Sequence, residues 1–182
     1  MFKELMARHC GAVLLGIKPA ALFTVKKEVA LGEDFVSIAI ESGLTAEVVR
    51  SEADHLLLLV YDSGLLEQAL EHPIARKTLF NMGYPCENGL EKTVDHLKTR
   101  FEGSGFPHEV GFFLGYPQVD VLGFIRFGGK RSKYSCMWKV YGNVDTAKRL
   151  CSSYEACSRL CRQHVENGGS LQSFQSIVYQ AG

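Results

Sequence analysis

The hydrophobic and polar positions of the first hundred residues predict helices, with one strongly marked buried strand among them. The run HLLLLVY at residues 55–61 is apolar after its first residue, and a short run of this kind is typical of a buried strand. Apolar spacing predicts helices over residues 1–9, 44–53, 64–82 and 90–101. Pro73 is expected to break the third of these, and Thr45 is a candidate N-cap for the second. The segment after Pro19 fits a helix or a strand equally well, because Pro often begins a helix whereas β-branched residues favour strands.

From about residue 106 the pattern changes to glycine, aromatic and β-branched residues at strand-like spacing. This pattern predicts three successive antiparallel strands, over residues 109–115, 119–127 and 135–141. A long helix is predicted from Asp145 to Glu166, ended by Asn-Gly-Gly. The predicted fold class is therefore α+β: N-terminal helices with one or two strands, a three-stranded antiparallel meander at about 109–141, and a long C-terminal helix. HLLLLVY is a candidate further strand of the same sheet.

Composition narrows the class of protein without naming an activity. The 182 residues suit one domain over 1–182, and 20 basic against 20 acidic residues give a formal net charge of zero. A neutral chain is a poor general nucleic-acid binder, and the apolar run at 10–17 is too short to span a membrane. We therefore predict a cytoplasmic protein with neither nucleic acid nor membrane as partner. A domain of this size needs no disulfides, so the six cysteines are predicted to be free thiols.

Three segments carry unusual residue combinations: HCGAVLLGIKPAALF (9–23), FPHEVGFFLGYPQVDVLGFI (106–125) and WKVYG (138–142). Together with Gly83-Tyr84 they resemble, over most of the chain, the family called domain of unknown function 3793, small proteins mostly of anaerobic bacteria. The resemblance implies no activity and no catalytic residue, because none is established for that family. Its members are often neighbours of redox and flavodoxin-type proteins, so the resemblance makes a redox protein a candidate partner.

Cys10, His108 and a carboxylate from Glu109 or Asp120 form a candidate catalytic set. A thiolate nucleophile needs a base within hydrogen-bond reach and a group that orients the base, and the chain order is that of papain-like cysteine hydrolases. The hypothesis requires a partly exposed Cys10 with its sulfur about 3–4 Å from a His108 ring nitrogen. In the predicted hairpin, however, His108 lies opposite residue 125 or 126. A structural role for these side chains is therefore the favoured alternative.

Metal binding is a weaker candidate. His9 and Cys10 could share a metal with His108 and Glu109, but neither a CxxC pair nor HExxH spacing supports such a site. The thiols on the predicted C-terminal helix are interpreted as packing residues. No metal site and no cofactor are assigned.

The loop RFGGKRSK (126–133) carries four positive charges beside two glycines, a composition that can hold a phosphate group. The alternative is a solvated hairpin tip, because the spacing of a P-loop is missing. Lys18 is interpreted either as a buried catalytic lysine or as a surface cation, of which the second is favoured. The candidate ligand-binding residues are His9, Lys18, Tyr116, Lys130, Arg131, Lys139 and Tyr141.

The favoured function is a ligand- or partner-binding module with a pocket formed by the His9-Cys10 segment and the 106–125 hairpin. Its partner would be an unidentified small molecule or a redox protein. The alternative is a cysteine-dependent hydrolase or acyl or thiol transferase that uses Cys10, His108 and Glu109 or Asp120.

Overall fold

A computed structural model describes residues 2–32 and 34–179. Within these residues the chain forms ten α-helices and five strands, so the predicted α+β class is confirmed. The elements in chain order are α1 (Phe2–Leu14), β1 (Ala20–Lys26), α2 (Lys27–Gly32), α3 (Phe35–Glu41), β2 (Thr45–Ser51), β3 (His55–Tyr61), α4 (Ser63–Leu70), α5 (Pro73–Asn81), a 3₁₀ turn (Cys86–Asn88), α6 (Leu90–Glu102), α7 (Val110–Phe113), α8 (Gln118–Phe127), β4 (Tyr134–Ser135), β5 (Lys139–Val140), α9 (Val144–Glu166) and α10 (Leu171–Tyr179). The chain divides into two compact units, of which the first is Met1–Leu65 with Tyr154–Gly182 and the second is Leu66–Ser153.

The first unit contains a three-stranded antiparallel sheet in the order β1-β3-β2. HLLLLVY is its central strand, β3, as its continuous apolar pattern predicts. Leu58, Leu59 and Val60 are fully buried, because a central strand is covered on both faces. The sheet lies at residues 20–61, so the three-stranded antiparallel sheet is present but not at the predicted place.

In this unit the helix predicted at 44–53 is wrong, and the structure resolves the ambiguous segment after Pro19. Residues 45–51 form strand β2 and not a helix, so Thr45 is not an N-cap but pairs with Tyr61 of β3. The physical reason is that Val48 and Val49 are β-branched and that an open edge of β3 offers backbone partners, which local periodicity does not show. The ambiguous segment after Pro19 forms β1 and then the short helix α2.

Helix α1 extends beyond the predicted 1–9 and packs closely against the C-terminal half of α9. A Cβ added at Gly11 would lie 2.7 Å from the backbone oxygen of Cys157, so only glycine allows this approach. Helix α9 itself runs from Val144 to Glu166, as predicted. Helix α10 is tied to the end of α3 by a bond of 2.7 Å from the Gln175 side-chain amide to the Ser42 carbonyl.

In the second unit the helix predictions of residues 64–101 are confirmed. Pro73 divides the first predicted helix into α4 and α5, and it occupies the first turn of α5, where its missing N–H is not needed. Helix α6 covers residues 90–102, and its apolar positions Val94, Leu97 and Phe101 are all buried.

The predicted three-stranded meander at 109–141 is wrong: its first two strands are helices, and the turn between β4 and β5 interrupts the third, predicted at 135–141. Residues 110–113 and 118–127 are the helices α7 and α8, and the only ladder in the described part of this region joins the two-residue strands β4 and β5. The β-branched and aromatic content of 119–127 favoured a strand, but the buried residues of α8 are Asp120, Val121 and Gly123, which include neighbours in sequence. Side chains from elsewhere in the unit bury these residues, so the local pattern of apolar positions does not show that the segment is a helix. HLLLLVY accordingly belongs to a separate sheet.

The prediction of six free thiols is wrong for two cysteines. Cys136 and Cys151 form a disulfide, with their Cα atoms 6.6 Å apart and 15 residues apart in sequence. The turn between β4 and β5 lies against the start of α9 and brings the two side chains within bonding distance. The other four cysteines, Cys10, Cys86, Cys157 and Cys161, are free. Among the described residues no helix is both long and apolar enough to span a membrane.

Candidate functional site

Cys10, the predicted nucleophile, is fully buried in the core of the first unit. Its thiol lies 3.6 Å from the sulfur of Met6, one turn earlier on α1. Burial raises the pKa of the Cys10 thiol well above its usual range, while the nearby Lys18 ammonium acts in the opposite direction. The partial exposure that a catalytic thiolate requires is therefore not found.

Lys18 is 6% exposed, so its interpretation as a surface cation is wrong. The loop after α1 turns this side chain inward, and its Nζ lies 5.5 Å from the centre of the Tyr154 ring. Burial lowers the pKa of Lys18 to about 8. Cation–π contact with an aromatic face offsets part of the cost of burying an ammonium group.

Two further groups of this unit, His9 and Cys161, also have shifted pKa values. The His9 ring stacks on Phe23 at 4.7 Å, and burial, with the positive charges of Arg8 and Lys18, lowers its pKa. Cys161 is fully buried, and burial raises the pKa of its thiol to about 12. Among the described residues, no group of three or more His, Cys, Asp or Glu side chains is placed to hold a metal ion.

In the second unit His108 and Glu109 have different surroundings. His108 is exposed, and its ring lies against Phe124 at 4.7 Å. Glu109 is 2% exposed and accepts hydrogen bonds from the Tyr84 hydroxyl at 3.0 Å and from Nε of Arg100 at 2.8 Å. Glu109 therefore holds α6 to the start of α7, and among the described contacts none joins it to His108.

The carboxylate of Asp120 is also buried and hydrogen-bonded. It is 2% exposed and accepts three hydrogen bonds of 2.7 Å, from the indole N–H of Trp138 and from the backbone N–H groups of Tyr141 and Gly142. A carboxylate with this many donors anchors the β4–β5 hairpin to the first turn of α8. The two carboxylates proposed to orient His108 thus have other partners in this unit.

The aromatic residues beside Asp120 form the wall of the hairpin. Tyr116 stacks on Trp138 with the ring centres 4.6 Å apart. The ring of Tyr141 occupies the space that a side chain at Gly123 would need, and its hydroxyl is buried with no hydrogen-bond partner among the described residues. Lys139, between the two strand aromatics in sequence, is half-buried.

The most distinctive feature of the second unit is its positive charge. Residues 126–149 contain seven basic side chains and one carboxylate, Asp145, although the whole chain is neutral. Six of the seven are exposed, and among the described residues none of the six lies within ion-pair distance of a carboxylate. We call this set the cationic surface; its members are Arg126, Lys130, Arg131, Lys133, Lys148 and Arg149.

Aromatic rings hold several of these cations in place. The guanidinium groups of Arg126 and Arg131 lie 5.2 and 5.6 Å from the centre of the Phe127 ring. Lys148 lies 5.4 Å from the Tyr134 ring in the same way. Arg131 has a positive φ of 60°, which is uncommon for a residue other than glycine. The charges are therefore arranged by local structure and do not project at random.

Sequence reasoning identified the four cations of the loop 126–133 but not the whole surface. It missed Lys148 and Arg149, which lie on a helix some 20 positions along the chain. The signal that would find them is a charge count over residues 126–149, because a net charge of zero conceals a strongly basic segment.

Comparison with protein-family models shows that the model described as "Protein of unknown function (DUF3793)" matches residues 6–175. Comparisons with curated proteins and with solved structures give no match.

Proposed function

This chain belongs to the DUF3793 family of proteins of unknown function, and from its own residues we propose that it is a binding module for a small phosphate-bearing ligand. The ligand lies on the cationic surface of the second unit. The observation that carries the proposal is a group of six exposed basic side chains with no carboxylate partner among the described residues. Exposed cations concentrated in one segment of the chain attract anions, and phosphate accepts several charge-assisted hydrogen bonds at once.

A small ligand suits this surface better than a nucleic-acid strand does. Strand binding relies on open aromatic faces on which bases stack, but cations already cover the rings of Phe127 and Tyr134. The chain as a whole is neutral, which disfavours the long-range attraction that a polymer of phosphates needs. Lys130 and Arg131, at the tip of the loop, would make the first contacts with the phosphate.

The pocket predicted between the His9-Cys10 segment and residues 106–125 stays a prediction, and so does a redox protein partner. The alternative of a cysteine-dependent enzyme has no supporting observation. It needs Cys10 as a thiolate, whereas burial raises the pKa of that thiol. Binding without catalysis is therefore the function that we propose.

Isothermal titration with inorganic tripolyphosphate at low ionic strength tests the proposal. Replacing Lys130 and Arg131 together by alanine should weaken binding by about a hundredfold, because two bonds to charged groups at about 1.5 kcal/mol each contribute about 3 kcal/mol. The control replaces Lys3 and Lys77, two exposed lysines that do not belong to the set of six, and should leave the affinity unchanged.

Two results would contradict the proposal. One is no binding of tripolyphosphate by the unmodified protein. The other is an equal loss in the control variant, which would show only the general attraction of a protein for anions.

A further inference from the structure

A separate cavity of about 670 Å³ lies in the first unit. Its walls come from α1, from the end of β1, from α2, from the start of β3 and from the end of α9. This volume falls within the range of about 300–1,000 Å³ that is usual for small-molecule sites. We propose that the cavity binds an organic carboxylate with an apolar body.

The cavity has two arginines for the carboxylate. Arg8 of α1 and Arg162 of α9 both line it, and neither has an ion-pair partner among the described residues. Lys26 also lines the cavity, but it lies 3.6 Å from Glu28 in an exposed pair. Two guanidinium groups from different helices match the planar geometry of a carboxylate and would hold it from two sides.

The inner wall is apolar. Ala7, Val25 and Val29 are buried there, while Leu5 and Val165 are partly buried and pack against the core of the unit. A hydrocarbon chain or ring placed on these side chains would lose contact with water, which favours binding. The cavity thus joins two arginine side chains to an apolar inner wall.

Two carboxylates on the rim limit the charge of the ligand. Glu4 and Glu166 also line the cavity, each four residues from one of the arginines on the same helix. The three basic side chains of the lining exceed these two carboxylates by one formal charge, and Lys26 is already paired with Glu28. A lining this close to neutral suits a single carboxylate held by the two arginines and disfavours a multiply charged phosphate. The cavity is therefore expected to select a different ligand from the cationic surface, and the inference does not rest on the proposed function.

The test uses three probes of known chemistry with the full-length protein: octanoate, octylammonium and acetate. Octanoate should bind and should shift the NMR methyl signals of Val29 and Val165. Octylammonium, which has the same chain and the opposite charge, and acetate, which lacks the chain, should bind at least tenfold more weakly.

Arginine variants locate the carboxylate. R8Q and R162Q should each weaken octanoate binding by about tenfold. The matched control is R159Q, because Arg159 is exposed on the same helix as Arg162 but does not line the cavity. The inference is overturned if octylammonium binds as well as octanoate does, if the control loses affinity equally, or if octanoate shifts neither valine.

Discussion

Replacing Asp120 tests whether this carboxylate is the structural anchor of the hairpin in the second unit. Its three donors lie at 2.7 Å, and the carboxylate is nearly inaccessible to solvent. Asp120→Ala removes all three acceptor contacts at once. Asp120→Asn keeps one oxygen for the backbone N–H groups of Tyr141 and Gly142, but it can place an amide NH₂ against the indole N–H of Trp138.

The magnitudes follow from the bonds and their exposure. A hydrogen bond to a charged group contributes about 1.5–3 kcal/mol, and an unpaired buried donor costs about 1–3 kcal/mol. Tyr141 and Gly142 are half-buried, so water can replace part of what their N–H groups lose. We therefore expect Asp120→Ala to lower the free energy of unfolding by about 3–5 kcal/mol, and Asp120→Asn by about 1–3 kcal/mol.

Urea unfolding followed by tryptophan fluorescence measures the effect locally, because Trp138 is the only tryptophan and is buried. The variant Trp138→Phe separates the indole bond from the two backbone bonds in a double-mutant cycle with Asp120→Asn, and the two changes should be non-additive. Because Trp138→Phe removes the fluorescent probe, unfolding of all four proteins of the cycle is followed by circular dichroism. Glu102→Gln, at an exposed position of the same unit, is the control and should change stability by less than about 0.5 kcal/mol. A loss below about 1 kcal/mol for Asp120→Ala would refute the reasoning.

Two further predictions concern Lys18 and the disulfide. Burial holds the pKa of Lys18 at about 8 in the folded protein, whereas an exposed lysine has a pKa of 10.5. The unfolded chain therefore binds more protons between these pH values, and stability rises with pH there. Lys18→Met should remove this rise and stabilise the protein at pH 7 by up to about 3 kcal/mol, measured as the difference from the unmodified protein in urea unfolding from pH 7 to 10. The Cys136–Cys151 disulfide predicts four reactive thiols, not six, in a thiol titration of the unfolded, unreduced protein. Its reduction should cost about 3 kcal/mol of stability, because it closes a loop of 15 residues.

Each of these has a result that contradicts it. For Lys18 it is a stability difference between the two proteins that does not change with pH. For the disulfide it is a count of six thiols, or a reducing agent that destabilises the Cys136→Ala, Cys151→Ala double variant as much as the unmodified protein.

Local signals in the sequence predict a large part of the fold. The continuous apolar run of β3, the break at Pro73 and the apolar spacing of α6 each act within a few residues of the chain. The residues that flank the long helix α9 carry the signals that begin and end it. Charge counting adds the cationic surface, which local composition marks at Lys130 and Arg131.

Only the tertiary structure decides the elements and groups whose state depends on distant partners. Residues 45–51 are a strand because β3 offers an edge, and 118–127 is a helix although its β-branched residues favour a strand. The three donors to Asp120 lie 18, 21 and 22 residues further along the chain. Lys18 is buried against Tyr154, which is far away in sequence, and Cys10 is buried in the core of the first unit. Burial shifts the pKa values of Lys18 and Cys10. Asp120 already accepts three hydrogen bonds, so its carboxylate is not available to orient a catalytic histidine. The sequence therefore names candidate groups, while the packing around them determines which are free to bind a ligand.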